Sequence, residues 1–153
     1  MSVIPVQQLI PVLQVAIGPV ILISGVGLVL LSLTNRFGRA IDRSRQLGRE
    51  MREAGSAERQ KLALQVEVIY RRARVIRLSI ILATLSILLA AVLIIGLFVA
   101  ALLDLEAGLV ISLLFICCMS SLIGSLIAFI RDIQLSLHAL KFELDSEQTP
   151  AQE

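Results

Sequence analysis

Three long stretches without a charged residue restrict what this chain can fold into more than any other feature. They cover about residues 9–33, 78–103 and 109–130 and are mostly apolar. A helix of ~20 such residues crosses the ~30 Å hydrocarbon layer of a bilayer. With 57% hydrophobic and 17% charged residues, the composition also departs from that of soluble domains. The sequence therefore predicts an all-α integral membrane protein with three transmembrane helices.

Positive charge is concentrated between the first two stretches. Twelve of the 14 Lys and Arg residues lie between Arg36 and Arg77, together with five acids, which gives this segment a net charge of +7. The positive-inside rule places the segment and the C-terminus in the cytoplasm, and the N-terminus and the acidic loop 104–108 outside. Because the first stretch lacks a basic n-region and a cleavage site, we interpret it as a retained span rather than a signal peptide.

These patterns divide the chain into seven segments. Residues 1–34 form an N-terminal segment and transmembrane helix 1, 35–77 a cytoplasmic coiled-coil hairpin, 78–103 transmembrane helix 2, 104–108 an external loop, 109–130 transmembrane helix 3, 131–145 a cytoplasmic stalk helix, and 146–153 a disordered tail. No proline interrupts the helical spacing at Thr34, so the charged arms are expected to continue directly from the spans.

The hairpin prediction depends on two seams of apolar and small residues at alternating spacings of three and four. The seams are Phe37, Ala40, Ser44, Leu47, Met51 and Ala54 in the first arm, and Leu62, Val66, Ile69, Ala73 and Ile76 in the second. This spacing is typical of a coiled coil. Gly55 and Ser56 suit a helix end and a helix start. Similar spacing at Ile130, Ile133, Leu137, Leu140 and Leu144 predicts a third stalk helix.

One face of the first predicted helix is polar or small. We call it the polar stripe and define it as Gln14, Gly18, Gly25, Ser32, Asn35 and Arg39; Ile21 and Leu28 fill the gaps between its members. In lipid, such a face needs either a closely approaching helix or water in a pore. The polar stripe is therefore interpreted as a pore-lining or helix-contact surface, with Ile21 and Leu28 as a candidate apolar gate. Proline at position 19 predicts a kink.

Two further groups of residues suggest contacts. Ser120, Gly124 and Ala128 follow the small-xxx-small pattern by which transmembrane helices touch closely. Arginines at the inner ends of the helices could anchor the topology or bind anionic lipid. The candidates for lipid contact are Arg36, Arg43, Arg71, Arg74, Arg77 and Arg131. Asp42 and Asp132 could pair with arginines and hold the arms in register.

No group of residues in the sequence indicates a catalytic, cofactor-binding or metal-binding site. The three spans contain no Asp, Glu, Lys, Arg or His, which argues against a proton-coupled transporter. The chain has no phosphate-binding loop and no hydrolase motif, and its sole histidine is His138. Cys117 and Cys118 are adjacent and suit apolar packing rather than a disulfide or a metal site. We therefore expect no enzyme activity, no cofactor and no metal, and no nucleic-acid partner, since only Tyr70 could stack on a base.

The sequence resembles a known family. The run Pro19-Val-Ile-Leu-Ile-Ser24-Gly25-Val-Gly27 and the segment T-N-R-x-x-R-x-x-D-R-x-R from Thr34 to Arg45 resemble the hallmark of small bacterial membrane proteins classed as domain of unknown function 2721. The resemblance extends from about Pro11 to Leu144. It implies a bacterial inner-membrane protein with three spans and no assigned activity, and it supplies no catalytic residue.

Three functional hypotheses remain open. In the first, a homo-oligomer places the polar stripe around an axis, so that Gln14, Ser32 and Asn35 form polar rings and Arg39 a basic mouth. In the second, the protein is a membrane scaffold or sensor, whose stripe packs against the other two spans while the stalk recruits a cytosolic partner. The third is a small transporter. The expected partners are the lipid bilayer, including anionic lipids, and further copies of the chain.

Overall fold

A computed structural model describes the backbone of residues 6–147 and the side-chain surroundings of residues 10–56 and 58–134. Within that range the chain forms three α-helices, α1 (Val6–Glu53), α2 (Ser56–Leu103) and α3 (Gly108–Glu147). All three are long and apolar enough to cross a membrane. The prediction of an all-α protein with three membrane-spanning helices is confirmed. The predicted tail at 146–153 lies mostly outside the described residues.

Each helix is far longer than a bilayer requires. α1 and α2 contain 48 residues each and α3 contains 40, so their lengths are about 72 and 60 Å at 1.5 Å per residue. They continue without a break through Thr34, Arg77 and Ile130, where apolar sequence changes to charged sequence. α1 also continues through Pro11 and Pro19. Every span is therefore covalently continuous, as a helix, with a charged arm.

The connections between helices are short. Residues 54 and 55 join α1 to α2, and Arg59 donates from Nη2 to the Arg52 carbonyl at 3.4 Å, which satisfies one of the last carbonyls of α1. Residues 104–107 join α2 to α3. Asp104 has a φ of 50°, and the Leu105 amide donates to the Ala100 carbonyl at 3.0 Å. This is the pattern of a Schellman motif with aspartate at the left-handed position.

The chain divides into two compact units, and every helix contributes to both. We call Met1–Ser32 with Ile80–Ser125 the apolar unit, and Leu33–Ser79 with Leu126–Glu153 the charged unit. In the apolar unit, small residues supply most of the buried positions. These positions are Ala16 and Val26 on α1, Ala83, Ser86, Ala90 and Leu93 on α2, and Cys118, Ser121 and Ser125 on α3. Small side chains at spacings of three and four let helix backbones approach closely.

In the charged unit, the two predicted seams are the covered faces of α1 and α2. All eleven seam residues are buried or partly covered, whereas most neighbouring charged residues are exposed. The seam predicted for α3 is wrong in its first positions. Ile130 is 53% exposed and Ile133 is also exposed, while Ala128 and Asp132 are buried. Between residues 126 and 134, the buried residues of α3 are a small residue and an ion-paired carboxylate rather than the larger apolar side chains.

Candidate functional site

The polar stripe is exposed along its whole length. In the apolar unit, Gln14, Gly18, Gly25 and Ser32 are exposed, and in the charged unit Asn35 and Arg39 are exposed. The candidate gate residues are exposed too, Ile21 by 66% and Leu28 by 71%. A Cβ atom added to Gly18 or Gly25 would meet no other atom within 4 Å.

The face of α1 that the chain itself buries is a different one. Ala16, Val26 and Leu33 are its buried members before the charged arm. The scaffold hypothesis required the polar stripe to pack against the other two spans, and the exposure of the stripe contradicts that packing. The polar side chains of the stripe and Gly25 therefore take no part in packing α1 against α2 and α3, whereas Gly18 borders a cavity shared with those helices.

In the apolar unit, polar groups of α2 and α3 contact each other. Ser121 Oγ donates to the Leu82 carbonyl at 2.8 Å, Cys118 Sγ donates to the Ser86 carbonyl at 3.2 Å, and Ser86 Oγ lies 3.5 Å from Cys118 Sγ. Hydrogen bonds between membrane helices contribute about 0.6 kcal/mol each on average. These contacts fix the register of α2 against α3.

The small-residue face predicted for α3 is only partly the contact face. Ser120 is exposed, Gly124 is partly covered and Ala128 is buried. A Cβ atom on Gly124 would lie 3.2 Å from Leu82 Cδ1. The sequence reasoning missed Cys118, because a cysteine in a span was interpreted only as apolar packing. Its spacing to Ser121 and Ser125, three and then four residues, is the signal that would have included it.

A cavity of about 250 Å³ lies within the apolar unit. Its lining comes from all three helices and consists of Gly18, Pro19, Leu22, Ala90, Leu93, Phe115, Cys118 and Met119. Ligand sites usually combine apolar walls with a few polar groups that orient the ligand. This lining is almost entirely apolar.

In the charged unit, an aspartate of α3 lies within 4 Å of one arginine from α1 and one arginine from α2. Arg36 Nη1 of α1 donates to Asp132 Oδ2 of α3 at 2.9 Å, and Arg72 Nε of α2 lies 3.9 Å from Asp132 Oδ1. The Arg36 guanidinium also lies 5.3 Å from the centre of the Phe129 ring, within cation–π range. We call Arg36, Arg72 and Asp132 the arginine triad.

The arginine triad agrees with one sequence expectation and differs from another. Pairing of Asp132 with an arginine at the inner ends of the helices was expected, and the structure selects Arg36 and Arg72 from that group; Arg36 was also a candidate for contact with anionic lipid. Asp42, the other expected partner, is exposed and takes part in neither the Arg36–Asp132 nor the Arg72–Asp132 ion pair. Composition cannot identify the right pair, because the choice depends on which face of each helix is turned inward.

The other arginines proposed for lipid contact lie on the surface. Arg43, Arg71, Arg74, Arg77 and Arg131 are all exposed. The Arg74 guanidinium lies 5.2 Å from the centre of the Tyr70 ring, so part of its surface is occupied by its own helix. Among the described residues, no group of three or more His, Cys, Asp or Glu residues could hold a metal ion. His138 is outside the residues whose side chains are described.

Comparison with known protein families gives a match over most of the chain. The family model described as "Protein of unknown function (DUF2721)" matches residues 16–142. No curated protein and no solved structure matches the chain.

Proposed function

The chain belongs to this family of unknown function, and on that premise we propose that it forms a homo-oligomer in the membrane whose polar stripes surround a narrow pore. The observation that carries the proposal is the exposure of the stripe. An amide side chain such as Gln14 is costly in hydrocarbon unless it finds a partner. Neither α2 nor α3 covers it, so a second copy of the chain or water must do so.

The order of residues along the polar stripe fits a pore wall. Gln14 would form a polar ring in the outer half, and Ile21 and Leu28 an apolar constriction that can close by dewetting. Ser32 and Asn35 would form inner polar rings. Arg39 would make a positive mouth, which favours anions or repels cations. The glycines at positions 18 and 25 would let neighbouring α1 helices approach closely.

Cysteine accessibility tests this proposal. Cysteines at Gln14, Gly25 and Ser32 should react with a charged, water-soluble thiol reagent, because a pore brings water to these depths. A cysteine at Leu88, which is 59% exposed on α2, is the control and should remain unreactive in lipid. The parent protein, with Cys117 and Cys118, supplies the background. Protection of all three stripe cysteines, together with no conductance in planar bilayers under voltage or tension, would rule out the pore.

We also propose an orientation, with the charged arms on the cytoplasmic side of a bacterial inner membrane and the N-terminus outside. The net charge of +7 between Arg36 and Arg77 supports it through the positive-inside rule. Protease added to intact spheroplasts should leave the connection at residues 54 and 55 uncut, and should cut it in inverted vesicles. The reverse pattern would contradict the orientation. The proposal includes no catalytic activity, cofactor or nucleic-acid partner.

A scaffold or sensor role, without the packing of the stripe against α2 and α3, is a second candidate, and an exposed apolar surface on the second charged arm favours it. Leu64 is 62% exposed and Val68, one turn later, is 51% exposed. Adjacent exposed apolar residues on a helix are typical anchors for a helix-in-groove or coiled-coil partner. Changing both to serine should abolish association with a cytosolic partner while the oligomer mass stays the same. An unchanged association would exclude this surface.

A further inference from the structure

We propose that the arginine triad is a binding site for a phosphate group, and that the phosphate is the headgroup of a membrane phospholipid. The inference concerns a site within one chain and does not depend on a pore. It rests on the arrangement of charge in the triad, on the rigidity of Arg36 and on the position of the site along the helices.

The carboxylate of the triad is buried, and its two guanidinium groups are partly exposed. Asp132 is 1% exposed, whereas the side chains of Arg36 and Arg72 are 31% and 33% exposed. Two guanidinium groups facing one carboxylate leave a formal charge of +1 within the triad. An approaching anion therefore meets guanidinium groups before it meets the carboxylate, and the net attraction favours it.

The site is also held in place before a ligand arrives. Asp132 accepts a 2.9 Å hydrogen bond from Arg36, and the Phe129 ring lies against the same guanidinium. Fixing a long side chain in advance reduces the entropy lost on binding. The planar guanidinium presents its N–H groups in a fork that matches two phosphate oxygens. Because Arg36 and Arg72 come from different helices, one phosphate could link α1 to α2.

The position of the triad along each helix matches the headgroup layer. Arg36 lies three residues after the uncharged stretch of α1, and Asp132 lies two residues after the uncharged stretch of α3. Arg72 lies six residues before the uncharged stretch of α2. At 1.5 Å per residue these offsets are about 3–9 Å, comparable to the ~5–7 Å of headgroup region on each side of the hydrocarbon. Exposed Arg71 and Arg131 are the chain neighbours of the triad and add to the attraction for anionic lipid.

The key variant is the double change Arg36→Gln with Asp132→Asn. It removes one positive and one negative charge, so the net charge of the protein is unchanged and no buried carboxylate is left behind. Arg45→Gln is the control, because Arg45 is an exposed arginine on the same helix. Full-length protein, delipidated in detergent, is titrated with phosphatidylglycerol, phosphatidylcholine, diacylglycerol or inorganic phosphate. Lipid binding is measured by native mass spectrometry, and folding by circular dichroism.

We expect phosphatidylglycerol to bind, phosphatidylcholine to bind more weakly and diacylglycerol, which lacks phosphate, not to bind. The double variant should remain helical and lose about tenfold in phosphatidylglycerol affinity, the loss expected for one charge-assisted contact. Arg45→Gln should bind like the wild type. Equal affinity in wild type and double variant, or an equal loss in Arg45→Gln, would overturn the site. Displacement of phosphatidylglycerol by inorganic phosphate at the same concentration would overturn the lipid assignment. If the double variant unfolds, Arg36→Lys, which keeps the charge but loses the fork, must lower the affinity instead.

Discussion

Among individual side chains, Asp132 has the most demanding surroundings. A buried carboxylate loses its hydration, and only close positive partners offset that loss. Arg36 and Arg72 supply those partners from two other helices. The three residues therefore connect α1, α2 and α3 at one point of the charged unit. A substitution of any one of them alters the electrostatic surroundings of the other two.

Arg36→Gln should destabilise the protein by about 1–3 kcal/mol, because Asp132 loses its shortest hydrogen bond while remaining buried. Adding Asp132→Asn should recover part of that loss, so the two changes are expected to be non-additive by more than about 0.5 kcal/mol. Thermal or denaturant unfolding in detergent measures both quantities. Asp42→Ala, an exposed acid outside the triad, should change stability by less than about 0.5 kcal/mol. A similar cost for Asp42→Ala would show that the charged unit is sensitive to the loss of any charged side chain and not to the triad in particular.

Asp104, at the end of α2, has a backbone in the left-handed region. Its φ of 50° is favourable for glycine, tolerable for aspartate and unfavourable for a β-branched residue. Asp104→Gly should leave stability unchanged or raise it by up to about 1 kcal/mol, and Asp104→Val should lower it by about 1–2 kcal/mol. Unfolding of the two variants side by side tests the assignment. Equal stability of glycine and valine would contradict a left-handed backbone at this position.

Among the helices, α2 and α3 show how small residues set the contact in the apolar unit. Hydrogen bonds to the backbone of α2 come from Ser121 and Cys118, and Gly124 lies next to Leu82. The hydrophobic effect does not drive helices together within lipid, so side-chain packing and interhelical hydrogen bonds have to stabilise their association. The exposed glycines of α1 take no part in such a contact within one chain.

Gly124→Val and Gly25→Val are a matched pair that separates these two kinds of glycine. At Gly124 the new side chain would clash with Leu82, and the protein should lose about 1–3 kcal/mol of stability. At Gly25 nothing lies within 4 Å of the added Cβ, so the fold of the chain should be retained. Unfolding in detergent and the helical circular dichroism signal report the difference. Equal losses at both positions would mean that the α1 glycines also pack within the chain.

In the proposed homo-oligomer, the polar stripe predicts where copies of the chain meet. A larger side chain that fits within one chain but lies at a contact between subunits should reduce the mass of the oligomer. Gly25→Leu is expected to shift the particle to smaller species in size-exclusion chromatography with light scattering, because a bulky residue prevents close approach of α1 helices. Leu88→Phe, an exposed change on α2, should leave the mass unchanged. A Gly25→Leu protein with the wild-type mass would move the contact away from the stripe.

Much of the architecture follows from local sequence. The three uncharged stretches determine the three membrane-spanning helices, because a helix is the way for a single segment to satisfy its backbone in lipid. The 3-4 spacing of Leu47, Ala73 and Ile76 with their seam neighbours also predicts the covered faces of the charged arms, since helical periodicity alone decides which residues share a side. Ser56 at the start of α2 follows from its capping preference.

The pairing of faces between distant helices could not be obtained in this way. Arg36 and Asp132 are 96 residues apart, and several arginines were equally good partners by charge. The rotation of each helix about its axis selects among them, and rotation depends on how all side chains pack together. The same holds for the polar stripe: its periodicity is plain in the sequence, but only the tertiary structure decided that α2 and α3 leave it uncovered, because they pack on the face containing Ala16 and Val26.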